Sequence, residues 1–237
     1  MQPDFIPLCG RVAASPRVKP YRNIHKALRL AMTSTLDALA RVDADDAVAV
    51  SSVLSQVEQL LEFCDGHLRH ENAFMHEALR ERDPDAPRDF DAEHASQQRV
   101  ALSLHHALQR ARLHDADTEA VLYQLYLVLS VHIADHLRHM ADEETTLTEA
   151  FWAMFSDREI LDVEARLVAS LTPAERDVSS QWMLRALNHR ERVELLEAMR
   201  EGMPAAAFDA LLQHLRVLLT PPTWRRLESA FLTTTKA

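Results

Sequence analysis

The spacing of apolar residues along the chain predicts four long amphipathic helices followed by several short ones. The first long segment runs from about Tyr21 to Arg41, and the second follows "DADD" and ends at about Arg82. The third spans roughly 88 to 113, and the fourth runs from near Asp117 to Phe151. Apolar side chains recur every three or four positions in each segment, which is the period of a helix with one buried face. Short polar breaks separate the segments, among them "RDPDAPRD" with its two prolines. We therefore predict an all-α protein whose first four helices form an up-down-up-down four-helix bundle.

The last third of the chain has a different pattern, with shorter helices and recognisable helix starts. "SDRE" (156–159) and "TPAE" (172–175) fit a capping box, and the second places proline at the first helical position. We predict three parts: an N-terminal arm over 1–19, the bundle over 20–152, and an appended C-terminal helical subdomain over 153–237.

Composition and charge support this interpretation and exclude some functions. Only three glycines and ten prolines occur, which favours helices over hairpins. A net charge of −10 disfavours binding to nucleic acid. No stretch is expected to be apolar over the ~20 residues that a membrane helix needs, and no signal peptide is evident. We therefore expect a cytoplasmic protein without a membrane partner. Two cysteines, Cys9 and Cys64, are too few for a disulfide framework.

Histidine and glutamate interrupt the apolar faces of all four long helices. His25 lies on the first face and His94 on the third, and two HxxxE pairs lie on the second and fourth: His67 with Glu71, and His139 with Glu143. Residues four apart share one helix face, about 6 Å apart along the axis, so each pair can converge on one ion. A single inward histidine is more often a hydrogen-bonded core residue.

The six groups together need compensation, because one unpaired buried carboxylate costs several kcal/mol and a whole domain is stable by only about 5–15 kcal/mol. A bound cation supplies that compensation. Neutral imidazole and carboxylate suit iron, manganese or zinc, and a carboxylate can bridge two cations. We predict a dinuclear metal site made of the six groups His25, His67, Glu71, His94, His139 and Glu143.

The same residues resemble the hemerythrin-like, or HHE cation-binding, family over about residues 20 to 152. The resemblance rests on "YRNIHKALRLAM", "HLRHENAFMHEAL", "EHASQQ" and "HMADEETTL", in that order. It implies two non-haem iron ions, with zinc or manganese as possible substitutes, held by the six residues, with Glu71 and Glu143 as bridges. The C-terminal extension is similar to that of some bacterial members of the family.

One position departs from the family pattern. Hemerythrins place a second histidine one turn after the third-helix ligand, and here that position is Gln98. The chain is therefore one imidazole short, and His70, His76 or His136 are candidates to replace it. His136 also lies nearer the middle of the fourth apolar face than His139 does, but the HxxxE spacing favours His139.

The leading functional hypothesis is a binding or sensing protein for dioxygen, a related small oxidant or iron itself. Its extension would pass the state of the metal centre to a protein partner. The alternative is a di-iron enzyme that acts on peroxide or nitric oxide, or that repairs damaged iron centres. A metal-free helical interaction module is the third hypothesis, and it predicts that metal removal leaves stability unchanged.

Overall fold

The structure, a computed structural model, describes residues 17–112 and 117–234, so Cys9, His114 and most of the N-terminal arm lie outside it. All regular elements within the described residues are helical, which confirms the all-α fold class. The bundle region contains α1 (Arg22–Arg41), α2 (Ala47–His70), α3 (Glu77–Arg82), α4 (Arg88–Arg112), α5 (Thr118–Asp142) and α6 (Thr148–Met154). The extension contains α7 (Asp157–Ser170), α8 (Pro173–Ala186), α9 (His189–Gly202), α10 (Ala205–Leu218) and α11 (Pro221–Thr234).

The long helices pack around a common core. α1 contacts α2 and α5, and α4 contacts the same two helices. Their facing sides bury a first apolar cluster that includes Leu28, Leu54, Leu61, Leu108 and Leu129. A bundle with additional helices is thus present, while the up-down-up-down order of helix directions stays a prediction.

Two π-helical turns interrupt the second and fourth long helices, and each begins at a glutamate of an HxxxE pair. The turns span Glu71–His76, between α2 and α3, and Glu143–Leu147, between α5 and α6. The amide of Thr148 donates to the carbonyl of Glu143, five residues earlier, which is the hydrogen bond of a π-helix. π-turns are rare and occur frequently at functional sites, because the wider turn presents residues five apart on one side.

Side-chain caps define the helix starts of the extension as predicted. Ser156 with Glu159 and Thr172 with Glu175 form reciprocal capping boxes, which confirms both sequence assignments. A third capping box, which was not predicted, joins Asn188 and Glu191. Glu191 is buried and also accepts hydrogen bonds from Lys26 (2.6 Å) and Arg22 on α1. This carboxylate therefore links the start of α9 to the bundle.

The extension packs along the bundle through its first two helices. α8 contacts α1 and α2, and α7 contacts the Glu71–His76 turn. On its other side, α8 packs with α9, α10 and α11 around a separate apolar cluster that contains Leu184, Leu196, Phe208, Leu215 and Leu227. The extension thus covers the side of the bundle where the second helix carries its histidines.

The fourth long helix is more apolar than the sequence analysis expected. Among the described residues, Thr118–Met154 is the one continuous helical segment that is long and apolar enough to cross a membrane, by length and composition only. Its outer face exposes Tyr123, Leu127 and Val131, and its inner face carries His139 and Glu143 into the bundle core. The expectation that no stretch reaches this length and hydropathy was wrong.

Candidate metal centre

All six residues predicted as ligands meet in the middle of the bundle. They form two groups of converging side chains: His25, His67, Glu71 and Glu143, and Glu71, His94, His139 and Glu143. The ligand atoms within each group lie within 4.8 Å of one another. Both groups contain both glutamates, so the two sites adjoin. The side chains are almost fully shielded from solvent, because the first apolar cluster lies on one side and a second, around Tyr21, Phe90 and Phe151, lies on the other.

Glu143 directs its two carboxylate oxygens to different groups. Its Oε1 lies 3.3 Å from His139 Nε2 and 3.6 Å from His94 Nε2, whereas its Oε2 lies 3.4 Å from His25 Nε2. Glu71 reaches both groups through one oxygen: its Oε2 lies 3.1 Å from His67 Nε2 and 3.8 Å from His94 Nε2, whereas its Oε1 lies 3.5 Å from His25 Nε2. This is the arrangement that a carboxylate bridge between two cations requires.

The outward nitrogens of three of these histidines are held by hydrogen bonds. Nδ1 of His25 donates to Glu144 (3.0 Å), Nδ1 of His94 to Asn72 Oδ1 (2.7 Å), and Nδ1 of His139 to Glu93 (2.7 Å). Such outer partners orient metal-ligating imidazoles and fix the tautomer whose Nε2 lone pair is free. The three Nε2 atoms therefore face inward as potential ligands, and without a cation those of His94 and His139 share a hydrogen bond of 2.7 Å.

The inward polar atoms of the cluster lack the hydrogen bonds that burial normally demands. Nε2 of His25 and His67, Oε2 of Glu71 and both oxygens of Glu143 have no hydrogen-bond partner in the described structure. Buried polar atoms are rarely left unsatisfied. Two ligand atoms that each lie about 2.1 Å from one cation are about 3.0–3.4 Å from each other. The histidine nitrogens and glutamate oxygens compared here are 3.1–3.6 Å apart, which is close to that distance. The donor set thus fits one or more divalent cations.

The protein itself partly neutralises the two carboxylates. Burial alone would lower the pKa of His25, but Glu144 and Glu71 raise it to about 9. Burial likewise opposes protonation of His139, but Glu143 and Glu93 raise the pKa of this imidazole to about 9. Burial lowers the pKa of His67 to about 4, so this imidazole stays neutral. Without a cation, the negative charges of Glu71 and Glu143 are therefore balanced by protonated His25 and His139.

His76 is a seventh member of the cluster. Its Nδ1 donates to Asp91 (2.8 Å), its Nε2 lies 3.8 Å from Glu143 Oε1, and its ring stacks on His94 at 4.7 Å. Its Nε2 also has no hydrogen-bond partner in the part of the chain that the structure describes. The π-turn explains this placement, because five α-helical residues would rotate His76 away from the face of Glu71. α-Helical spacing gave no reason to choose His76 over the other spare histidines.

The other candidates to replace the missing imidazole lie outside the two converging groups. His70 contacts Glu175 of α8 at 3.1 Å. His136 is buried and packs edge-on against His132. Neither His132 nor His136 belongs to the two converging groups. Gln98 donates to Asp65. Of these positions only His76 reaches the cluster.

Replacing Glu93 with glutamine should weaken metal binding about 10- to 100-fold, the usual effect of losing an outer partner of a ligating histidine. The carboxylate of Glu93 accepts the Nδ1 hydrogen of His139 and raises the basicity of that imidazole. Competition with a chromophoric chelator measures the affinity. Asp89→Asn, an exposed acidic position on the same helix, is the matched control and should bind like wild type. Equal affinities in both variants would show that Glu93 does not support a ligand.

Comparisons of the chain with protein-family models, with curated proteins and with solved structures found no match. The resemblance to hemerythrin-like proteins therefore stays a prediction from the four sequence motifs.

Proposed function

We propose that the protein binds a pair of iron ions in the bundle core and uses them to bind or sense dioxygen or a related small oxidant. The observation that carries the proposal is the sharing of Glu71 and Glu143 by two adjacent groups of inward imidazoles. Two groups with two common carboxylates favour a dinuclear site over two separate ones.

The donor set supports iron rather than a purely structural zinc ion. Structural zinc sites are usually closed, four-coordinate and rich in cysteine. Here five imidazoles, counting His76, and two carboxylates surround the same space, and the nearby Cys64 packs in the first apolar cluster instead. Imidazole with carboxylate suits iron or manganese, and two iron ions would supply the electrons for a reaction with dioxygen.

Side chains around the cluster limit the access of water and protons. The second apolar cluster covers one end of the site with Phe90, Leu147 and Phe151. Tyr21 stacks on His25 at 5.3 Å, and its buried hydroxyl has no hydrogen-bond partner among residues 17–112 and 117–234. Burial raises the pKa of Tyr21 well above its usual range, so the phenol keeps its proton as a hydrogen-bond donor beside the cluster. It is positioned to hold a small oxygen-containing ligand.

Metal analysis combined with optical spectroscopy tests this function. Protein loaded with iron(II) without oxygen should retain about two ions per chain, and admitting air should produce a new visible absorption band in stoichiometric amount. His76→Leu should alter that band, whereas His70→Leu should not, because His70 faces α8.

The pattern of turnover separates binding from catalysis. A single stoichiometric change on mixing with dioxygen supports a binding or sensing role. Continuous consumption of peroxide or nitric oxide would favour the enzyme instead. Failure to retain iron, manganese or zinc after desalting would contradict both and leave the metal-free interaction module.

A further inference from the structure

A large cavity lies between the bundle and the extension. Its volume is about 760 Å³, and residues of α1, α2, α7 and α8 line it. A diatomic gas needs only a small fraction of this space, since one water molecule occupies about 30 Å³ of liquid volume. Cavities of about 300–1,000 Å³ are typical of sites for small organic molecules.

The cavity wall is mostly apolar and ends at the metal centre. Hydrocarbon and aromatic side chains form most of the lining, among them Ile24, Leu60, Phe63, Leu167 and Trp182. Tyr21, His67 and Glu71 line it too, so a molecule in the cavity would contact the candidate ligands directly. An organic ligand with a substantial apolar part fits these walls.

One half-buried carboxyl group in the cavity has no partner among the described residues. Glu164 of α7 lines the cavity, and it makes no hydrogen bond or ion pair with any described residue. Burial raises its pKa to about 7. Of the other carboxylates on this wall, Glu175 is already held by Arg69, His70 and the capping box of α8, Glu71 belongs to the metal cluster, and Glu62 is exposed to solvent. Glu164 is therefore the acidic group left to pair with a ligand.

We propose that this cavity binds an apolar organic molecule carrying one basic amine, with the ammonium group at Glu164 and the hydrocarbon along the apolar walls. An ammonium ion gains a charge-assisted hydrogen bond from an otherwise unpaired, half-buried carboxylate. The aromatic ring of Phe63 lines the same cavity and also attracts cations, whereas Trp182 already carries the guanidinium of Arg185. The lining holds four glutamates against this one arginine, so its charge favours an ammonium ion over a carboxylate. The inference goes beyond the proposed function, because these walls exist whichever metal the centre holds.

Displacement of a neutral fluorescent dye tests the proposal on the full chain. N-phenyl-1-naphthylamine should bind and brighten in both metal-loaded and chelator-treated protein. At about pH 8, where dodecylamine is protonated, dodecylamine should displace the dye at about tenfold lower concentration than dodecan-1-ol. Dodecanoate should be the weakest of the three. Equal displacement by the amine and the alcohol would overturn the assignment of an amine, and absence of dye binding would overturn the cavity as a site.

Two pairs of variants locate the binding. Glu164→Gln should abolish the preference for the amine, and Asp162→Asn, an exposed acid on the same helix outside the cavity lining, should preserve it. Ser179→Leu adds bulk to the lining and should weaken dye binding about tenfold, whereas Asp177→Leu on the outer face of α8 should leave it unchanged. Melting curves check that each variant is folded. An amine preference that survives in folded Glu164→Gln would contradict the proposal.

Discussion

Replacing Glu143 with glutamine should remove both metal ions, whereas replacing His67 with glutamine should remove only one. Glu143 places Oε1 beside His139 and Oε2 beside His25, so its carboxylate serves both groups of ligands. His67 belongs to the first group alone. Because an amide is neutral and a poorer ligand, the affinity of Glu143→Gln should fall by more than the ~100-fold that an outer partner can cost.

Metal content after desalting, measured by mass spectrometry, distinguishes the two variants. About two ions per chain in wild type, one in His67→Gln and none in Glu143→Gln would support a dinuclear site with a shared carboxylate. Glu149→Gln is the control for general damage, because Glu149 is an exposed carboxylate of α6 that belongs to neither group. Loss of the same number of ions in His67→Gln and Glu143→Gln would contradict the bridging role of Glu143.

Removing the metal should lower the melting temperature by about 10 °C, and the difference should grow between pH 6.5 and 9. A cation bound at about 1,000 times its Kd stabilises the fold by about 4 kcal/mol, and each kcal/mol shifts the melting temperature by about 2–4 °C in a chain of this size. The metal-free protein relies instead on protonated His25 and His139. Their pKa values, about 9 in the fold against 6.5 when unperturbed, mean that this stabilisation is complete below pH 6.5 and disappears as the pH rises through 9.

Calorimetry of metal-loaded and chelator-treated protein at several pH values measures both effects. The loaded protein has no such imidazolium contacts to lose, and groups outside the site, such as Glu164, contribute equally to both samples. A double variant, Glu71→Gln with Glu143→Gln, should show no response to the chelator. Identical melting of wild type with and without chelator at every pH would support the metal-free interaction module.

The elements and the inward groups were predictable because they depend on local periodicity. Apolar spacing places the first helix from Tyr21 to Arg41, and the structure has it from Arg22 to Arg41. The HxxxE spacing likewise identifies Glu71 and Glu143, which are buried and central. Both results follow from the fixed rotation per residue of a helix, which a single sequence reveals.

Features that depend on packing between helices were not predictable. His76 joins the cluster through a π-turn, which the α-helical period does not anticipate. Glu93, Asn72 and Glu144 support the histidines of other helices, so their roles appear only when the helices are assembled. The cavity depends on how α7 and α8 lie against α1 and α2, and no periodicity within either part encodes that contact.

The two π-turns also determine which length changes the chain can tolerate. In a regular α-helix, one residue more or less turns everything beyond it by about 100° around the helix axis. A π-turn instead takes up one residue more than the α-helical turn that it replaces, with nearly the same total rotation. Deleting a residue such as Ala73 would therefore restore regular α-helix and leave Leu79 of α3 in the second apolar cluster. Natural variants of the protein should accordingly tolerate the loss of one residue in these two segments better than elsewhere in the long helices.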